Sequence, residues 1–72
     1  MKVLAVTNSV NSKIDLFVFK TIEEATKEMK IMYLEKLNTI KYDTNNTYLD
    51  EDEQYAQVVD GLEQIEFRIG HI

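Results

Sequence analysis

The chain opens on an apolar run with no polar face. Over residues 2–8, Val3 and Ala5 alternate with Leu4 and Val6, so both sides of an extended segment would be apolar. A strand of that kind needs cover on both sides, which predicts an inner place in a sheet. Residues 8–13, Asn-Ser-Val-Asn-Ser-Lys, are rich in side chains that hydrogen-bond their own backbone, and predict the loop of a hairpin. Residues 14–20 alternate again, with Ile14, Leu16 and Val18 on one face and Asp15, Phe17 and Phe19 on the other. This second strand has an unusually aromatic second face.

The period changes at Thr21. Thr21-Ile22-Glu23-Glu24 fits a capping box, in which the Thr21 hydroxyl accepts from the Glu24 N–H and the Glu24 carboxylate reaches back to the Thr21 N–H. A helix is expected from Ile22. Ile22, Ala25, Met29, Met32, Tyr33 and Leu37 recur three and four residues apart and form one stripe, with Glu23, Thr26, Lys27, Lys30 and Glu35 elsewhere. Ile31 and Leu34 lie off that stripe, and either widen the buried face or stay exposed for a partner. Asn38 suits the C-cap, and residues 39–47 read as loop.

In the last third, Asp60-Gly61 separates residues 55–59 from residues 62–69 and predicts a two-residue type I′ hairpin turn. That turn sets Val59 opposite Leu62, Gln57 opposite Gln64, Tyr55 opposite Glu66 and Glu53 opposite Arg68. Ala56, Val58, Ile65, Phe67 and Ile69 then share the other face, an apolar surface expected to lie under the helix. The expected fold class is α+β: a single ββαββ two-layer domain over residues 1–72, with a four-stranded, mainly antiparallel sheet and one helix packed on one face. The second hairpin is expected beside the first strand, with the full strand order left open.

Composition changes this picture mainly by exclusion. Seventy-two residues allow one domain, and a domain of that size buries only about 60% of its unfolded surface. The chain has no cysteine, so neither a disulfide nor a thiolate metal site can reinforce it, and oligomerisation or a larger partner becomes the default remedy. The apolar run at residues 3–6 is shorter than the roughly 7–15 residues of a secretory core or the roughly 20 of a membrane span, so a cytoplasmic protein with no membrane partner is expected. The glycosylation pattern Asn45-Asn46-Thr47 carries no weight in that setting.

Charge is divided unevenly. The net charge is −5, yet residues 1–36 carry six lysines against five acids (+1), whereas residues 37–72 carry Lys41 and Arg68 against eight acids (−6). From Asp43 through Asp50, Glu51, Asp52, Glu53, Asp60 and Glu63 to Glu66 no base intervenes. Such a surface repels nucleic-acid phosphates and attracts cationic partners, so direct nucleic-acid binding is not expected. Residues 50–53 are either a solvated loop that keeps an acidic protein soluble or part of an acidic patch facing a basic groove on another protein.

Catalytic and metal chemistry is not expected, and neither is a cofactor. A calcium-loop count begun at Asp43 fails where the turn requires Gly (Tyr48) and where a bidentate Glu belongs (Gln54). A looser carboxylate group from Asp50, Asp52 and Glu53 is the remaining metal candidate. His71, the single histidine, reads as an edge-strand surface residue. The two glycines, Gly61 and Gly70, build no phosphate loop.

Alternation cannot place both faces of the second strand under one helix. Phe17 and Phe19, joined by Tyr55, Val59 and Leu62, therefore form a candidate apolar contact face, for a partner or a second copy, unless the stems of Lys20, Gln57 and Arg68 cover it. The expected function is that of a non-enzymatic acidic protein-binding module acting on a larger, basic protein through Asp50, Glu51, Asp52, Glu53, Asp60, Glu63 and Glu66, through the aromatic face, or through both. Size and acidity are shared with small inhibitors carried by phages and mobile elements, such as anti-CRISPR and other anti-defence proteins. That is a likeness of class and not of motif. The alternative is a structural homo-oligomeric domain or accessory subunit of a larger assembly.

Overall fold

The computed structural model describes residues 1–41 and 46–72. These form β1 (Lys2–Asn8), β2 (Lys13–Phe19), α1 (Ile22–Leu37), β3 (Tyr48–Leu49), β4 (Tyr55–Asp60) and β5 (Glu63–His71). The sheet runs β2-β1-β5-β4-β3 with every neighbouring pair antiparallel. β1, apolar on both faces, takes an inner position, and β5 of the second hairpin lies beside it. The architecture is α+β, with one helix on an antiparallel sheet.

Directly opposed residues on antiparallel strands share a face. Leu4 of β1 is flanked by Phe17 of β2 and Ile69 of β5, and Val6 by Asp15 and Phe67, so these residues lie on one side. The helix packs on that side. Its core joins Ala25, Met29 and Tyr33 to Leu4, Ala56, Val58, Ile65, Phe67 and Ile69, with Phe19, Ile22, Met32, Leu37, Ile40 and Leu49 packed partly buried around it. Each large apolar side chain buried here contributes about 1.5–3 kcal/mol before chain entropy is counted.

The helix begins where the capping residues place it. Thr21 is extended (φ −127), and its Oγ1 accepts from the Glu24 N–H at 3.2 Å. The return contact runs between side chains: the Thr21 hydroxyl donates to Glu24 Oε1 at 3.2 Å, rather than the carboxylate reaching the Thr21 N–H. Glu23 and Glu24 in the first turn and Lys36 in the last complement the helix dipole. Asn38 caps the end in the right-handed conformation (φ −69), its N–H directed to the Leu34 and Lys36 carbonyls. Of the two alternatives for Ile31 and Leu34, the structure shows exposure and not a wider buried face.

Two features depart from the sequence expectation. The sheet has a fifth strand, because the short β3 pairs Tyr48 with Gln57 and Leu49 with Ala56 on the far edge of β4. Two residues are too few to show a period. Thr47 extends the contact by accepting from the Val59 N–H at 2.9 Å. The second departure is the turn: Asp60 pairs with Glu63, so Gly61 and Leu62 form the loop and Asp60 belongs to the strand. Gly61 alone in the turn has positive φ (64), the signature of a glycine-first type II′ turn. Relative to the expected register, Tyr55 therefore faces Arg68, Gln57 faces Glu66 and Val59 faces Gln64. A slip of two residues preserves the faces, which is why the apolar side of this hairpin still meets the helix.

Part of the expected 39–47 loop, together with Asp43 and Asn45 of the calcium and glycosylation patterns, lies outside the described residues. On its near side, the Lys41 N–H donates to both Asp60 carboxylate oxygens at 3.2 Å. No helix among the described residues is long and apolar enough to cross a membrane.

Candidate interaction surface

Among the described residues no element covers the sheet face opposite the helix. That open face is divided across the strands. At the β2–β1 end it carries Ile14, Leu16 and Val18 beside Val3 and Ala5, and the three β2 side chains are 66%, 65% and 54% exposed. Gly70 of β5 continues the Val18–Val3 row, and a Cβ added to it would meet nothing within 4 Å. Its own fold gives no steric reason for glycine. The result is an aliphatic half-face ending in a flat, side-chain-free point.

The β5–β4–β3 half is polar and internally satisfied. The Tyr55 hydroxyl stands 2.8 Å from Gln57 Oε1 and 3.1 Å from Glu66 Oε2. Gln64 Nε2 donates to Glu66 Oε1 at 3.3 Å, and Arg68 Nη2 reaches Glu66 Oε2 at 3.4 Å. The Arg68 guanidinium also lies over the Tyr55 ring, 5.1 Å from its centroid, while the Tyr48 ring is tilted against Tyr55 at 5.9 Å. Burial and then the adjacent Glu66 carboxylate push the Tyr55 phenol above its ordinary value. Burial alone does the same to Tyr33 in the core.

The five residues expected to share one apolar face do not share one. Phe17 and Phe19 point to the helix side, because Phe17 is the cross-strand partner of the buried Leu4 and Phe19 packs against the core. Tyr55 and Val59 are on the open face, and Leu62 stands at the tip of the turn, 98% exposed. The aliphatic set of β2 occupies the position anticipated for the phenylalanines. On that side Phe19 packs against the core while Phe17 stays 39% exposed, and turning the larger rings inward still removes more apolar area from water than turning Ile14 and Val18 inward would.

The seven acids fall into three groups. Residues 50–53 form the β3–β4 loop and are partly engaged in holding it: Asp50 Oδ1 accepts from the Glu51 N–H at 2.8 Å and Asp52 Oδ1 from the Gln54 N–H at 3.0 Å. Glu53, in a left-handed conformation (φ 58), pairs with Lys30 of the helix at 2.6 Å. Asp60 and Glu63 sit at the opposite end of β4, where Glu63 Oε2 accepts from Asn8 Nδ2 at 3.1 Å. Five residue steps of about 3.3 Å separate that end from the loop. Glu66 lies within the open-face network.

A groove of about 430 Å³ runs on the helix side between the later part of α1 and the β1–β2 hairpin, floored by Val6, Met32 and Phe67 and rimmed by Lys13, Asp15 and Glu35. Among the described residues no three histidine, aspartate or glutamate side chains gather as a metal-holding group. His71 is exposed, as expected, though at the end of the inner strand β5 rather than on an edge. Comparison of the chain with protein-family models, with curated proteins and with solved structures finds no match.

Proposed function

We propose that the chain is a non-enzymatic protein-binding module that works by occupying a surface of a larger protein. The observation that carries this reading is the exposed Ile14, Leu16 and Val18 row on a sheet face that no element among the described residues covers. A contiguous aliphatic patch of this kind, rimmed by polar residues, is what protein contact surfaces present. The neighbouring Tyr48, Tyr55 and Arg68 are residue types enriched at such contacts. The acid-rich β3–β4 loop adds a preference for a partner whose contact surface has basic residues at its margin, and works against nucleic acid. A small inhibitor carried by a phage or mobile element is the form of this role that suits the size and acidity of the chain. The homo-oligomeric reading is supported by β2, a long apolar edge strand.

The reading is tested by purifying tagged protein from cells of its native host. A stoichiometric partner should accompany the parent chain, be lost with Leu16→Lys, and be eluted more easily by salt after Asp50→Asn with Asp52→Asn. Recovery of the partner undiminished by Leu16→Lys, or the lack of any stoichiometric partner, would overturn it.

A further inference from the structure

We infer that two copies of this chain pair edge to edge through β2, joining their sheets into one antiparallel ten-stranded sheet. The two edges of the sheet are built differently. The β3 edge is two residues long and runs straight into the acids of residues 50–53, two of the devices that keep an edge from pairing. The β2 edge is seven residues long, has no proline, and pairs with β1 in an unbroken register without a bulge. It also carries exposed Ile14, Leu16, Phe17 and Val18. Its two charged residues, Lys13 and Asp15, lie on the helix side and pair with each other at 3.8 Å, which leaves the Ile14, Leu16 and Val18 row uncharged.

The sequence of β2 is complementary to itself when run antiparallel. With Leu16 opposite Leu16 of the second copy, Ile14 faces Val18 and Val18 faces Ile14, so all three aliphatic side chains find aliphatic cross-strand neighbours. Moving the centre to Asp15 sets two carboxylates opposite each other, and moving it to Phe17 sets Ile14 opposite Lys20. On the open face the Leu16 register leaves no mismatch; on the helix side it sets Asp15 opposite Phe17 and Lys13 opposite Phe19, with Asp15 kept 3.8 Å from Lys13 of its own strand. The net charge of −5 does little to oppose it: Asp15, the acid on β2, has Lys13 at 3.8 Å, and the acids of residues 50–53 lie by the far edge of each sheet. Nine strand spacings of about 4.8 Å hold the two β3 edges some 43 Å apart, several times the roughly 8 Å screening length at physiological salt.

This inference goes beyond the proposed function, since edge pairing leaves the open faces uncovered and merges their aliphatic halves into one central band. Each can fail without the other. Light scattering on the purified chain should give twice 8.4 kDa. The L16K and L16E chains should each fall to a single 8.4 kDa, since like charges then meet on the two-fold axis, and mixing them one to one should restore the doubled mass. Leu16 is 65% exposed, so neither change disturbs the core. A cysteine is a second probe in a chain that has none of its own. Directly opposed Cα atoms lie about 4.5–5.5 Å apart, within disulfide reach, so L16C should cross-link on mild oxidation far faster than L62C at the exposed turn. A parent chain that stays at 8.4 kDa at millimolar concentration, with L16C no faster than L62C, would overturn the pairing. A dimer that the L16K and L16E mixture does not restore would overturn the register.

Discussion

Lys30 Nζ meets Glu53 Oε1 at 2.6 Å, and this contact fastens the acid-rich β3–β4 loop to the side of the helix. Glu53 makes it from a left-handed backbone, φ 58, that costs a residue with a Cβ about 1–2 kcal/mol. Both side chains are more than a third exposed, so the pair contributes only about 0.2–1 kcal/mol. Strain and attraction are therefore of similar size. Glu53→Gly should come out about 1 kcal/mol more stable than Glu53→Ala in urea denaturation, because both lose the pair but only glycine relieves the backbone. Lys30→Ala should cost about 0.5 kcal/mol in dilute buffer and almost nothing in 1 M salt.

Tyr55 links the acidic and aromatic parts of the open face, and its protonation can be followed. Burial and Glu66 raise its pKa above the ordinary 10.0, so the folded chain favours the neutral phenol. The associated stability is present below pH 10.0 and is lost as pH rises through that value toward the folded pKa. Tyr55→Phe should cost about 1 kcal/mol at pH 7 for the lost hydrogen bonding, and the gap between it and the parent should narrow in denaturation series above pH 10. Tyr33, raised by burial alone, is present in both chains and cancels from the comparison.

The two sheet faces should respond differently to truncation. Phe67 is 1% exposed beneath the helix, and Phe67→Ala should remove about 3–5 kcal/mol. Leu16→Ala on the open face should shift stability by less than about 0.5 kcal/mol at protein concentrations low enough to keep the chain single. Thermal and urea unfolding of the two variants compare the faces directly.

Gly61 and Leu62 divide the β4–β5 turn by backbone sign. Gly61→Ala should cost about 1–2 kcal/mol, because φ 64 there penalises a residue with a Cβ, as φ 58 does at Glu53. Leu62→Asn should stay within about 0.5 kcal/mol of the parent, since its side chain is 98% exposed and the type II′ turn constrains only the first position.

Much of this fold is legible from alternation and capping. The both-sided apolar pattern of residues 3–6 correctly predicts an inner β1, and Thr21 through Asn38 mark the helix at both ends. The sequence does not place the turn to the residue, because Asp60-Gly61 and Gly61-Leu62 both put glycine in a two-residue loop, and only φ at the second position distinguishes type I′ from type II′. β3 leaves no pattern in the sequence, since its two residues acquire strand character from Gln57 and Ala56 across the ladder. For the interaction surface, the pattern shows that one face of β2 must go uncovered but not which. Leu4 opposite Phe17 fixes that choice, and the pairing is a tertiary contact.

The sheet order also sets a schedule for folding during synthesis. β1 and β2 leave the ribosome before β5, yet β1 needs β5 on its other side, and the pairs from Asn8–Ile65 to Lys2–His71 lie 57 to 69 residues apart. At roughly 5–20 residues per second, β1 waits about 3–14 s with one edge unpaired. During that interval the first hairpin and helix lack Ile65, Phe67 and Ile69, the part of the core that β5 supplies. The nascent chain is thus most vulnerable to capture by chaperone or protease before its last strand arrives, and closing the sheet ends that exposure in a single late step.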